Sequence, residues 1–312
     1  MKGLEINRAF FAEYGKKMLE TEFSDVLPLI AAGSVGGGSE NFGFDDDVSR
    51  DHDFEAGFCI FVPDSFDERT IFRLERAYAK LPKTFAGLSR GLLSPVGGNR
   101  RGVIKTSDFY LSKCGEKDGK LSLEKWLTIP DFYLAEATNG EVYFDNLGEF
   151  TAIRNELLSM PQDVVKKRLA GNLLIMKQAG QYNYTRALAH GERAGAQLAA
   201  IEFTRAAINV VFLLNKRYKP FYKWIFRAFK TLPELSGLAD ELEFLITSDN
   251  DEKTSAVKSS LIESVCGEIA EFLIAHGLTA ATCHDLEKHA YSVNDRIKDP
   301  NMRNANILSA IV

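Results

Sequence analysis

Gly33-Ser34-Val35-Gly36-Gly37-Gly38-Ser39, followed after an acidic loop by Asp51-His52-Asp53 and the apolar run Phe58-Cys59-Ile60-Phe61-Val62, decides how this chain is read. A Gly/Ser turn can wrap phosphate oxygens with backbone N–H groups, and two carboxylates at i and i+2 of an extended segment project from one side. Mg²⁺ is usually held by one or two carboxylates together with substrate phosphates, so the two halves of the pattern need each other. The turn is not a P-loop, which ends in Gly-Lys-Ser/Thr where this chain continues Gly38-Ser39-Glu40. Nor is it a dinucleotide fingerprint, because Gly33-Ser34-Val35-Gly36 breaks the first Gly-x-Gly spacing.

Outward from this stretch, the first half of the chain mixes element types. Leu4 to Phe23 carries Ile6, Phe10, Tyr14 and Met18 at helical spacing, which predicts an amphipathic helix. Val26 to Ala32 reads as a strand or short buried segment entering the turn. Phe58 to Val62, aromatic and β-branched and bounded by Pro63, predicts a central strand. Ser65 and Glu68 have the spacing of a capping box for a helix running to about Leu81. Val103 to Thr106 predicts a further strand, Ser107 a helix cap, Asn139-Gly140 a turn and Glu141 to Asp145 a strand. Gly97-Gly98-Asn99-Arg100-Arg101 reads as a turn whose two cations are solvated. After Phe150 the pattern is helical, with predicted helices at 149–159, 162–178, 192–216, 222–230, 233–247, 256–276 and 283–296. The expected organisation is therefore an α+β domain over 1–148 with a small mixed sheet, followed by an all-helical domain over 149–312.

With 312 residues, 45% hydrophobic and 26% charged, the composition is that of an ordinary globular protein with room for two domains. A net charge of −5 supplies no global footprint for nucleic acid. The polar start predicts no secretion signal, and the apolar stretch Ala206 to Leu214 is short for a membrane span, so no membrane partner is expected. Cys59, Cys114, Cys266 and Cys283 form no C-x-x-C pair, which points away from a zinc site or disulfide scaffold and toward a reducing cytoplasm.

The order Gly-Ser, loop, Asp-x-Asp, apolar strand resembles the DNA polymerase β-type nucleotidyltransferase superfamily. More closely, Ala32-Gly33-Ser34, Ser39-Glu40, Gly43-Phe44-Asp45-Asp46 and Ser49-Arg50-Asp51-His52-Asp53 resemble a bacterial nucleotidyltransferase-like family catalogued as domain of unknown function number 4037. The likeness extends through Trp126-Leu127 and Pro130, through Gly140 to Asp145, and into Leu213-Leu214-Asn215, Tyr218, Pro220 and Lys223-Trp224. The resemblance implies a polymerase β-like fold for the N-terminal domain and metal-dependent transfer of an NMP from a nucleoside triphosphate to an acceptor hydroxyl. Asp51 and Asp53 would be the catalytic carboxylates holding Mg²⁺ or Mn²⁺. Gly33, Ser34, Ser39 and Lys223 would bind the nucleotide. The acceptor is a small molecule or an RNA 3′ end.

Each assignment has a plainer counterpart. Asp51 and Asp53 lie near Asp45, Asp46 and Asp47 and could belong to a solvated acidic loop, with Arg50 in a local ion pair. His52, on the opposite face of the extended segment, has a structural default. The superfamily's third carboxylate is not obvious; Asp108 stands near the right place in sequence but also suits a helix N-terminus. Tyr218 to Trp224 could be a helix corner filled with aromatic rings, Tyr182, Tyr184 and Arg186 could line a cleft, and Glu202 is either a buried carboxylate or a base. A nucleotide-binding sensor or pseudoenzyme is the second functional class, and a helical scaffold the third.

Overall fold

The computed structural model describes residues 1–48, 55–90 and 100–311. Asp51, His52 and Asp53 therefore lie outside the described residues, as does Arg50. The fold is α+β: six short strands and many helices, dividing by contact into one unit of residues 1–121 with 133–159 and another of 122–132 with 160–312.

The strands all belong to the first unit: β1 (Ala31–Ser34), β2 (Cys59–Val62), β3 (Thr84–Phe85), β4 (Leu88–Ser89), β5 (Gly102–Lys105) and β6 (Glu141–Asp145). Four of them form a mixed sheet in the order β5-β2-β1-β6, while β3 and β4 form a separate ribbon. β1 runs antiparallel to both β2 and β6, and β2 runs parallel to β5. Successive residues of a strand face opposite sides, so a central strand covered on both faces needs an unbroken apolar run. On one face of β2, Ile60 and Val62 join a core with Phe10, Leu19 and Leu74 from the helical stretches 3–22 and 68–80. On the other, the Phe61 ring stacks on Phe150 at 4.1 Å between centroids and meets Phe109 at 5.2 Å.

Helix 3–22 contains a π-turn at Phe11–Gly15, where the Phe58 ring packs against the helix. A Cβ at Gly15 would lie 2.4 Å from that ring. The glycine thus admits the ring, and the widened turn accompanies it. Two predicted caps are corrected. Helix Glu68–Lys80 is capped by Asp67, whose carboxylate accepts the Thr70 N–H at 2.6 Å, not by Ser65. Ser107 lies inside helix Thr106–Cys114 and donates its hydroxyl to Asp64 Oδ1.

In the second unit the described elements are helices. Gln162–Met176 continues through a π-segment, Lys177–Tyr184, into Thr185–Ala189, so this helix outruns its predicted end at 178. Gly191, at φ +76°, lets the chain reverse into Arg193–Leu214. Asn172 meets Asn209 and Gly180 meets Phe203, so the two helices run antiparallel. The helix predicted from 233 begins at Leu238. Arg193–Leu214 is long and apolar enough to cross a membrane by length and composition, and 56% of its most apolar window is buried inside the protein.

Burial holds the Cys59 thiol at about 11 and the Tyr184 phenol at about 12, and pushes up Cys266, Tyr110, Tyr143 and Tyr218 as well. An acid whose folded pKa is raised holds its proton in the folded chain after the unfolded chain has released it. Stability is then intact below the ordinary thiol and phenol values and falls as pH rises beyond them. The buried amines Lys167 and Lys258 and the half-buried Lys219, lowered by desolvation, act in the opposite direction but are fewer. The urea midpoint is accordingly expected to fall between about pH 9 and pH 11, with a slope of up to about 1.4 kcal/mol per pH unit for each group titrating. A midpoint that holds or rises across that range contradicts it.

Candidate functional site

The registers bring four strand ends together. Gly33 pairs with Cys59, Cys59 with Gly102, and Ser34 with Glu141, so the end of β1 lies beside the starts of β2, β5 and β6. Gly33 and Ser34 are themselves strand residues, and the turn proper begins after them. A Cβ at Gly33 would sit 2.5 Å from the Glu141 carbonyl oxygen, at the irregularity where β6 shifts register. Glycine here serves a close backbone approach.

Ser34 is fully buried. Its hydroxyl donates to Asn41 Oδ1 at 2.9 Å and accepts from Asn7 Nδ2 at 2.9 Å and from Arg101 Nη1 at 3.4 Å. One hydrogen and two lone pairs are thereby used. Asn7 also accepts the Gly57 N–H at 3.1 Å, tying the N-terminal helix, β1 and the segment entering β2 at one point. Asn139 exchanges two hydrogen bonds with Gly36, from Gly36 N–H to Oδ1 and from Nδ2 to Gly36 O, both 2.8 Å. Asn41 Nδ2 donates to Gly37 O at 3.1 Å, and Asn41 O accepts the Gly140 N–H.

The turn is clamped through its carbonyls, while the amides of Gly37, Gly38 and Ser39 donate to no acceptor among the described residues. Gly36 and Gly38 have φ of +96° and +121°, a region side chains avoid. Consecutive amides in such a turn form an anion-binding concavity. The Ser39 hydroxyl also has no hydrogen-bond partner among the described residues. Gly38→Ala is expected to cost about 1–3 kcal/mol, read as a lower urea midpoint. The strained φ and a Cβ 2.5 Å from the Glu40 carboxylate both oppose it. An unchanged midpoint contradicts that geometry.

Sequence reasoning missed the centre of this arrangement. Arg101, read as a solvated loop cation, is instead buried and ion-paired with Glu40 at 2.7 Å, with side-chain exposures of 7% and 6%. The same guanidinium donates to Gly57 O at 3.0 Å. Nothing in Asn99-Arg100-Arg101 signals this, because the partner stands far away in sequence. Two further carboxylates near the turn are also paired: Glu136 with Lys113 at 2.6 Å and Glu141 with Arg8 at 2.8 Å. Among the described residues no group of three His, Cys, Asp or Glu side chains could hold a metal. Asp51 and Asp53, the expected metal ligands, lie outside the described residues.

The remaining candidates disperse. Asp108 is exposed in the first turn of helix Thr106–Cys114, beyond the C-terminal end of β5, whereas Asp51-x-Asp53 leads in sequence toward the N-terminal end of the parallel neighbour β2. Beside the start of β2 stand Arg100 and Arg101 instead. In the second unit, Lys223 is exposed, its ammonium 4.5 Å above the Trp224 ring. Tyr182 is exposed beneath Arg186, while Tyr184 is buried and donates to Asn250 Oδ1, so the two tyrosines do not share an environment. Glu202 is exposed and pairs with Arg205, so it is not a buried carboxylate.

Residues 126–225 match the model of DUF4037, a domain of unknown function. That segment belongs to the DUF4037 family. It includes Asn139, Gly140, β6 and Lys223, and it leaves Gly33 to Asp53 outside. No curated protein matches the chain.

Proposed function

We propose that the chain is a metal-dependent nucleotidyltransferase, with a polymerase β-like N-terminal domain that moves an NMP from a nucleoside triphosphate to an acceptor hydroxyl and releases pyrophosphate. The observation that carries this reading is the trio of unengaged amides at Gly37, Gly38 and Ser39, opening at the sheet end toward which the Asp51-x-Asp53 segment leads. Anions bind such turns through backbone N–H groups, and Glu40, Glu136 and Glu141 are each neutralised by an ion pair. In this reading the amides and the Ser39 hydroxyl take the terminal phosphates. Gly33 and Ser34 act by shaping the turn, since the Ser34 hydroxyl is already engaged. Asp51 and Asp53 would hold Mg²⁺ or Mn²⁺, which supplies charge neutralisation at the phosphates. Lys223, free of any carboxylate partner among the described residues, is a further phosphate ligand. The acceptor is a small molecule or an RNA 3′ end.

A second reading, a nucleotide-binding sensor, draws support from the position of Asp108, which lies beyond the C-terminal end of β5 and not at the start of β2 and β5. One experiment separates the two. Each labelled nucleoside triphosphate is incubated with the protein, Mg²⁺ or Mn²⁺ and a lysate, and pyrophosphate release and label transfer are followed. Release with transfer supports the enzyme, binding without transfer supports the sensor, and absence of binding removes both.

A further inference from the structure

The helical unit holds a second polar cluster that the nucleotidyl-transfer reading does not use. Arg168, on helix Gln162–Met176, pairs through Nη2 with Asp131 Oδ1 at 2.6 Å, with side-chain exposures of 4% and 5%. Its other terminal nitrogen, Nη1, is buried and has no hydrogen-bond partner among the described residues. Lys219 shares the electrostatic surroundings of Asp131, Arg168 and Arg205, and its ammonium donates to Asn209 Oδ1. Asn209 in turn donates to Asn172 Oδ1 at 2.8 Å, and Asn172 donates to Arg168 O at 2.7 Å, which orients the Lys219 acceptor from the helix that carries the arginine. Two cations thus share one carboxylate. A half-buried ammonium that shares its carboxylate and an unpaired buried guanidinium N–H both carry a cost, and an entering oxyanion relieves both at once.

We propose that Arg168 and Lys219 form a binding site for the phosphate group of a small phosphorylated ligand, with Asp131 and Asn209 holding the two cations in place. A phosphate carries between one and two negative charges near neutral pH and several acceptor oxygens. It therefore answers the single excess positive charge, the free Nη1–H groups and the two ammonium hydrogens that Asn209 does not take. All of these side chains fall within the DUF4037 segment. The inference is independent of the Gly-rich turn and of Asp51 and Asp53.

The test uses the full chain and inorganic phosphate as the probe, with chloride at matched ionic strength as the reference. Thermal unfolding is followed as phosphate rises, and affinity is read from the shift of the midpoint. The wild type is expected to gain stability with phosphate. Lys219→Met is expected to bind it at least about tenfold more weakly, the equivalent of one charge-assisted hydrogen bond. Lys219→Arg is expected to retain binding. If Lys219→Met does not fold, Lys219→Gln carries the same comparison. A wild-type chain indifferent to phosphate overturns the site. So does a Lys219→Met variant that gains as much as the wild type, the result expected if phosphate binds only at the Gly-rich turn or if the cluster merely pins helices together.

Discussion

Pyrophosphate release from a nucleoside triphosphate in the presence of Mg²⁺ is expected to fall by about a thousandfold or more in the Asp51→Asn, Asp53→Asn double variant. An amide keeps the size of the carboxylate but removes the charge that a hard divalent cation requires. Losing metal-borne charge stabilisation of the transferring phosphate withdraws several kcal/mol from the transition state, and each 1.36 kcal/mol is a factor of ten in rate. The single variants are expected to be nearly as inactive as the double, because residues that act as a unit give strongly non-additive losses. The comparison is made on protein whose urea midpoint matches that of the wild type. Undiminished transfer in the double variant would sink the nucleotidyltransferase reading. Retained triphosphate binding with transfer lost leaves the Gly-rich turn as the nucleotide's holder and the aspartates as the source of the chemistry.

The largest stability effect is expected at Arg101. Arg101→Met leaves the Glu40 carboxylate buried and unpaired, and breaking a buried ion pair from one side typically costs about 3–5 kcal/mol. The loss reaches further, because Gly57 O and the Ser34 hydroxyl each lose a donor. Pairing the change with Glu40→Gln removes the orphaned charge, so the double variant is expected to recover most of the loss in urea unfolding. If Arg101→Met alone unfolds at the wild-type midpoint, the ion pair is not the buried keystone described for the turn. The effect on nucleotide binding is expected to follow the effect on the turn, since Glu40 stands beside Gly38 and its release lets the carboxylate approach the amides that face the phosphate.

Much of the fold is legible in the residues. The aromatic and β-branched run at Phe58 to Val62 is a strand because both of its faces are covered, and the spacing of Ile6, Phe10 and Met18 makes one face of a helix. Asn139-Gly140 is a turn, and Gly140 takes φ +65° as such a turn requires. The errors are local and have local causes. Ser65 and Asp67 both suit a cap, and the one with an amide three residues on in reach, Asp67, took the role. The helix beginning at Gln162 continues past 178 because Gly180 lets the Phe203 ring close against it through a π-segment, a packing event that no periodicity of polar and apolar residues encodes.

By itself the sequence determined the α+β character, the unbroken helical pattern of the second half, and a Gly-rich turn joined to Asp51-x-Asp53, since propensity, periodicity and backbone freedom are properties of neighbouring residues. Only the tertiary structure decided that Arg101 is the buried partner of Glu40, that the Ser34 hydroxyl is occupied by Asn7, Asn41 and Arg101, and that Asp108 lies beyond the far end of β5. Those outcomes depend on strand register, which brings residues distant in the chain to one end of the sheet. Register is selected by the sum of long-range contacts, so no single stretch of residues carries it.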